Sequence, residues 1–156
     1  MTPPDASDAA IGEAAHFRAL ENLYRSAPIN DLFDSRLQIT SAGVARIHFT
    51  IDGRLFHAAG AAHGTIYFKM LDDAAFYAAN SLVSDRFLLT TAFNVHLTRP
   101  LREGPAIAEG RWLSGRRRVY VAEARLLDGD GEEVARGTGT FARSRVPLAT
   151  LAGYAA

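Results

Sequence analysis

Residues 63–82, HGTIYFKMLDDAAFYAANSL, are the longest stretch of the chain that reads as one helix, and it is apolar on nearly every side. Such a helix belongs in an interior, with other elements wrapped round it. Ala74, Ala75, Ala78 and Ala79 let neighbouring backbone come close. Yet two carboxylates, Asp72 and Asp73, sit in the middle. A buried unpaired charge is costly enough that the group neutralises instead. Either the two are exposed or paired, or at least one has chemistry to do. Lys69 precedes them by three and four residues, and the four-residue spacing suits a pair with Asp73.

Residues 58–62 form a small-residue loop, and His63-Gly64-Thr65 opens the helix without a strong capping residue. The first amides of a helix lack internal partners and carry the positive end of its dipole. Gly64 lets a ligand approach them closely, so this terminus can hold an anion or a carbonyl oxygen becoming one. Asp72 lies about 13 Å beyond His63 along the same axis, at about 1.5 Å per residue. A carbonyl held at Gly64 therefore cannot reach Asp72 of its own helix, since reacting atoms approach to roughly 3–3.5 Å. Two such helices placed antiparallel across a two-fold axis bring each start onto the other's middle.

The remaining chain supplies what wraps the helix. Residues 1–8 read as a disordered lead-in. From Ala9 to Arg25, Phe17, Leu20 and Tyr24 recur at helical spacing, with Asp8 as N-cap and Pro28 as the stop. Residues 29–33 suit one further turn. Residues 37–39 and 46–52 pair as a hairpin around Ser41-Ala42-Gly43, the second strand alternating perfectly. After the central helix, Phe93, Val95 and Leu97 alternate with Asn94, His96 and Thr98, and Arg99-Pro100 ends that strand. Strands over 106–113, 119–127 and 133–143 follow, joined by turns at Ser114-Gly115 and Asp128-Gly129-Asp130-Gly131. The last strand places Gly137 and Gly139 on one face, which signals close packing there, with the alanine-rich helix as the candidate neighbour. The expectation is one domain over 9–146 with a tail over 147–156, in an α+β arrangement of an antiparallel sheet around a long helix. No glycine-rich βαβ crossover is present to suggest a doubly wound fold.

Composition narrows the chemistry. Basic and acidic residues balance at 17 each, so no bulk field recruits nucleic acid. The absence of cysteine excludes disulfides, a thiol nucleophile and cysteine-held metal. His48 and His96 lie on polar strand faces, and no histidine–carboxylate spacing suggests a metal, so neither metal nor cofactor is expected. The acidic start is unlike a signal peptide, and no apolar run reaches membrane-spanning length. The simplest expectation is a cytoplasmic protein with no membrane partner.

The segment from His57 to Phe141 resembles the hotdog-fold acyl-CoA thioesterases of the phenylacetate-degradation type. The resemblance rests on His63-Gly64-Thr65 at the helix start, Asp72 nine residues after His63, and the strand FNVHLTRP over Phe93–Pro100. The Asp128–Gly131 turn and VARGTGTF over Val134–Phe141 complete it. It implies a hotdog fold and hydrolysis of an acyl-CoA thioester. Asp72 would be general base or nucleophile, and the Gly64 amide, with Thr65, the oxyanion site. Thr90 would help place the water. His57 stands where relatives often carry asparagine, and Thr65 where they carry a second glycine. His63 fixes the helix entry and is counted with the substrate-binding residues. Arg116, Arg117 and Arg118, with Arg99, are either solvated turns or a clamp for coenzyme A phosphates, which arginine's forked donors suit. The resemblance further implies a homodimer with shared sites and admits a homotetramer as a dimer of dimers. A non-catalytic acyl-CoA-binding protein and a hotdog-fold hydratase or dehydratase are the competing readings.

Overall fold

The computed structural model describes residues 6–156, with side chains from residue 12 onward. In chain order the elements are α1 (Ala6–Ser26), a 3-10 turn (Pro28–Leu32), β1 (Asp34–Ser41), β2 (Val44–Ile51), α2 (Gly64–Asn80), β3 (Arg86–Leu97), β4 (Gly104–Ser114), β5 (Val119–Leu127) and β6 (Glu133–Pro147). The alternation seen in sequence becomes one antiparallel sheet ordered β1-β2-β4-β5-β6-β3. Tyr120, Ala122, Ala124 and Leu126 of β5 point inward and are buried, as are Ile47 and Phe49 of β2. They close over α2, where Met70, Leu71, Ala74, Ala75, Ala78 and Ala79 are buried. The small side chains of α2 let the sheet come within backbone contact. A Cβ built on Gly110 of β4 would lie 2.0 Å from the Ala74 carbonyl oxygen. That closeness leaves no residue larger than glycine at this position.

The glycines of β6 serve a different neighbour from the one expected. A Cβ on Gly137 or Gly139 would strike the Phe93 ring, at 2.6 and 2.3 Å respectively. The aromatic ring of the adjacent edge strand lies down across β6, so it is Phe93, and not the helix, that requires these glycines. Strand β3 pairs with β6 on one side only and forms one edge of the sheet.

Two terminal expectations change. Helix α1 already includes residues 6–8, so Asp8 lies within it and is not its cap, while residues 1–5 of the expected lead-in fall outside the described residues. Its buried face runs through His16, Ala19, Leu20 and Tyr24, with Phe17 only half-buried. His16 Nε2 donates to the Asn80 carbonyl at 3.0 Å, which leaves Nδ1 to accept from the Tyr154 hydroxyl at 2.6 Å. Burial lowers the His16 pKa, in keeping with a neutral ring. The segment 147–156 is thus docked against α1 and the end of α2. Leu148 is fully buried there, a contribution of about 1.5–3 kcal/mol.

Candidate active site

The start of α2 does carry a cap, contrary to the sequence reading. His63 Nδ1 accepts from the Thr65 amide at 3.1 Å and lies 2.9 Å from the Thr65 hydroxyl. The Thr65 amide is therefore committed to His63 and is not a second free donor. Ile66 bonds back to the His63 carbonyl at 2.9 Å. Among the described residues, the Gly64 amide alone of these three has no partner. It opens onto a hollow of about 340 Å³ lined by His57, Ala62, Tyr67 and residues 97–100.

The walls of that hollow are held from several directions. Ala62 and His63 donate to the carbonyls of Leu101 and Leu55, each at 2.9 Å, and the Tyr67 hydroxyl donates to the Arg99 carbonyl at 2.7 Å. His57 Nδ1 accepts from the Ala59 amide at 3.0 Å. That bond assigns the ring proton to Nε2 and makes it a donor. The hollow thus joins a free backbone amide, the positive end of a helix dipole and an imidazole N–H, all suited to a developing negative oxygen. Arg99 lies at its rim, 3.9 Å from Glu132 in an exposed pair.

Asp72 sits in a second hollow, of about 230 Å³, with Phe76, Tyr77, Phe87, Leu89 and Thr90. The Thr90 hydroxyl donates to Asp72 Oδ1 at 2.9 Å. Thr90 reaches inward from β3 opposite Phe141, where a register shift over residues 90–92 interrupts the pairing with β6. Burial pushes the Asp72 carboxyl up to about 6. The Thr90 hydrogen bond and the more distant Lys69 pull against that, while the Asp73 charge adds to it. A carboxylate poised near neutrality, yet ionised in most molecules at pH 7, suits a base.

Asp73 has the other role. Lys69 Nζ bonds Asp73 Oδ2 at 2.6 Å and Asn30 Oδ1 at 2.7 Å, and lies over the rings of Tyr24 and Phe33. Burial raises the Asp73 pKa, with Lys69 opposing. This pair leaves Asp72 without a basic partner, so the two neighbouring carboxylates are sorted by their surroundings. Asn30 joins the pair from the 3-10 turn, a contact with no signal in the sequence.

The arginines divide between the two hollows. Arg116 stacks over Trp112 at 4.6 Å, and its carbonyl accepts from the Tyr120 hydroxyl. Arg117 and Arg118 are exposed. Cross-strand register aligns Val119 with Ala142 and Ala142 with Leu89, which puts Val119, beside the turn, two strand spacings from Leu89 of the Asp72 hollow, about 10 Å at about 4.8 Å per strand. Arg99 lies on the Gly64 side. Among the described residues no group of three histidine, cysteine or acidic side chains could hold a metal, and no helix is long and apolar enough to cross a membrane.

Comparison with known proteins comes to the same stretch. A family model described as Thioesterase superfamily matches residues 59–135. Two archaeal proteins, both named "Putative esterase", are similar over the same share of the chain. The one from Sulfurisphaera tokodaii is 30% identical over 100 residues, covering 64% of this chain and 74% of its own. The one from Saccharolobus solfataricus is 28% identical over 99 residues, covering 64% and 66%, so the chain spans just under two thirds of that relative. Among solved structures, the E. coli PaaI protein from the phenylacetic acid degradation operon superposes with a TM-score of 0.76 at 18% identity, over 85% of this chain and 98% of that one.

Proposed function

The chain belongs to the thioesterase superfamily and has its hotdog fold, and from that premise we propose that it hydrolyses an acyl-CoA thioester to the free acid and coenzyme A, in a homodimer whose sites are shared. The observation that carries this reading is the separation of the two hollows. The free Gly64 amide and Asp72 lie eight residues apart on one helix, about 12 Å at about 1.5 Å per residue. Neither hollow alone holds both an oxyanion donor and a base. An antiparallel second copy supplies each hollow with the other's group, giving two equivalent sites.

In such a site the thioester carbonyl oxygen accepts from the Gly64 amide, with the His57 Nε2 proton beside it. Asp72 of the partner subunit, held by Thr90, takes a proton from water as the water attacks the carbonyl carbon. The tetrahedral oxyanion is stabilised where the donors already point, at no reorganisation cost. Collapse breaks the C–S bond, and the proton on Asp72 passes to the leaving thiolate. Direct attack by Asp72, expelling the thiolate to leave a mixed anhydride that water then opens, is the alternative route, and after a single turnover in ¹⁸O-water label in the Asp72 carboxyl marks that route with opening at the aspartyl carbon. Arg99 of one subunit and Arg117 and Arg118 of the other flank the site and suit the coenzyme A phosphates. Acyl-CoA substrates fit a cytoplasmic setting, and a dimer of dimers is compatible with this arrangement.

The test is a panel of aromatic and aliphatic acyl-CoA thioesters, with enoyl-CoA included, followed by release of free thiol. Thiol release that disappears in Asp72→Ala is the expected result. Binding without turnover would instead mark a non-catalytic acyl-CoA-binding protein. Hydration of enoyl-CoA without thiol release would mark a hydratase.

A further inference from the structure

We propose that Phe68 lies on the two-fold axis of the dimer, ring against ring, and that this contact sets the register bringing Asp72 onto the partner subunit's Gly64. The inference rests on the shared site proposed above. Across two antiparallel helices related by a two-fold axis, only one position faces its own copy. If Gly64 is to face Asp72, that position is the midpoint between them, which is Phe68. The three residues are spaced four apart and so share one side of α2.

The side chain at that midpoint is anomalous for its helix. Tyr67 is 3% exposed, Met70 1% and Leu71 0%, whereas Phe68 is 41% exposed. Its ring is not loose. It meets the Phe93 ring edge-on, with centroids 5.5 Å apart, and Phe93 lies across Gly137 and Gly139. The two glycines therefore support a platform that ends in an uncovered phenyl ring.

The surroundings fit the same occupant. Leu97 and Val95 point to the inner face of the sheet, opposite buried Ala135 and Gly137, yet Leu97 is 47% exposed and Val95 only half-buried. Inner-face apolar residues left open at a sheet edge need another cover. The one cation nearby on the helix, Lys69, is turned away to Asp73 and Asn30. An apolar patch centred on a self-facing residue, beside an unpaired strand edge, suits a second copy of this chain rather than a charged partner.

The chain contains no cysteine, so single cysteines report on this geometry without background. Phe68→Cys should cross-link to itself on mild oxidation or with a short bis-maleimide. Gly64→Cys and Asp72→Cys should not self-link, but should link to each other when mixed. Because Phe68 is part-exposed, Phe68→Arg should keep the monomer's fold by circular dichroism and raise the dimer dissociation constant at least about thirtyfold, as expected for a central anchor. Phe68→Leu should change it far less. A Phe68→Cys protein that sediments as a dimer yet does not self-link overturns the proposal. If the Gly64→Cys and Asp72→Cys mixture still links, the shared site survives and only the ring-against-ring contact at Phe68 is removed. Self-linking of Phe68→Cys in a protein that hydrolyses no thioester keeps the axis and removes the proposed activity.

Discussion

Thr90→Val deletes the hydroxyl that donates to Asp72 Oδ1 at 2.9 Å and keeps the branched shape β3 favours. Burial holds the Asp72 carboxyl up near 6, and the Thr90 bond pulls it down. A hydrogen bond to an ionised group is worth about 1.5–3 kcal/mol. Thr90 is exposed, so water replaces part of that, and about 1.4 kcal/mol, a tenfold change in proton affinity, is the expected net. The variant should therefore bind its proton more tightly, and the acid limb of kcat/KM should move up by about one pH unit. At pH 7 the ionised share of Asp72 falls from about nine tenths to about half, which alone halves the rate. Above about pH 8.5 that effect vanishes, and any remaining loss measures water placement by the Thr90 hydroxyl. The assay is thiol release at substrate concentrations below KM across pH 5–9. Thr90→Ser should leave the limb in place. A limb that stays put in Thr90→Val, or moves down, refutes the assignment of that limb to Asp72.

Asp72→Asn should lose at least about a hundredfold in rate yet gain stability. The folded carboxyl titrates near 6 against an ordinary 3.8, so the ionised form costs the fold stability above about pH 6 and the cost fades as pH falls towards 4. After discounting for partial exposure, about 1–2 kcal/mol at pH 8 is expected, and urea unfolding that shows no gain at pH 8 rules this out. Asp73→Asn, which strands Lys69, should lower stability and spare most activity, and the reverse ranking would mean the two carboxylates are wrongly assigned. Charge reversal at Arg117 should raise KM for acyl-CoA and leave acyl-pantetheine unaffected, whereas equal effects on both would remove the phosphate clamp. Gly64→Pro deletes the free amide at a position where proline suits the first helical turn, since His63 is already extended at φ −63 and ψ 145. Mixed with Asp72→Ala after dissociation and reassembly, it should restore about a quarter of wild-type activity through one intact site per mixed dimer. No recovery despite proven subunit exchange would mean the site is not shared.

Much of the candidate site was legible because its parts are local. Asp72 and Gly64 were found from one helix and its entry, and the Lys69–Asp73 pair from a four-residue spacing. What was missed either has no residue preference to announce it or joins segments far apart in the chain. His63 caps α2 by a bond between its ring and the Thr65 amide, and a histidine carries no strong capping preference to announce it. The helical spacing points to Phe17 and not to His16, because a polar side chain on a helix reads as exposed until Asn80 and Tyr154 supply its partners.

The sequence by itself determined which segments are helix and strand, where the turns fall, and that an apolar helix would carry two carboxylates to be accounted for. Those features depend on side-chain periodicity and on backbone preferences within a few residues. Only the tertiary structure decided that β3 lies at the sheet edge beside β6, that Phe93 rests on Gly137 and Gly139, and that Thr90 reaches Asp72. Each depends on the register of strands separated by dozens of residues, and register is set by the closing of the whole sheet around α2, which no local preference encodes.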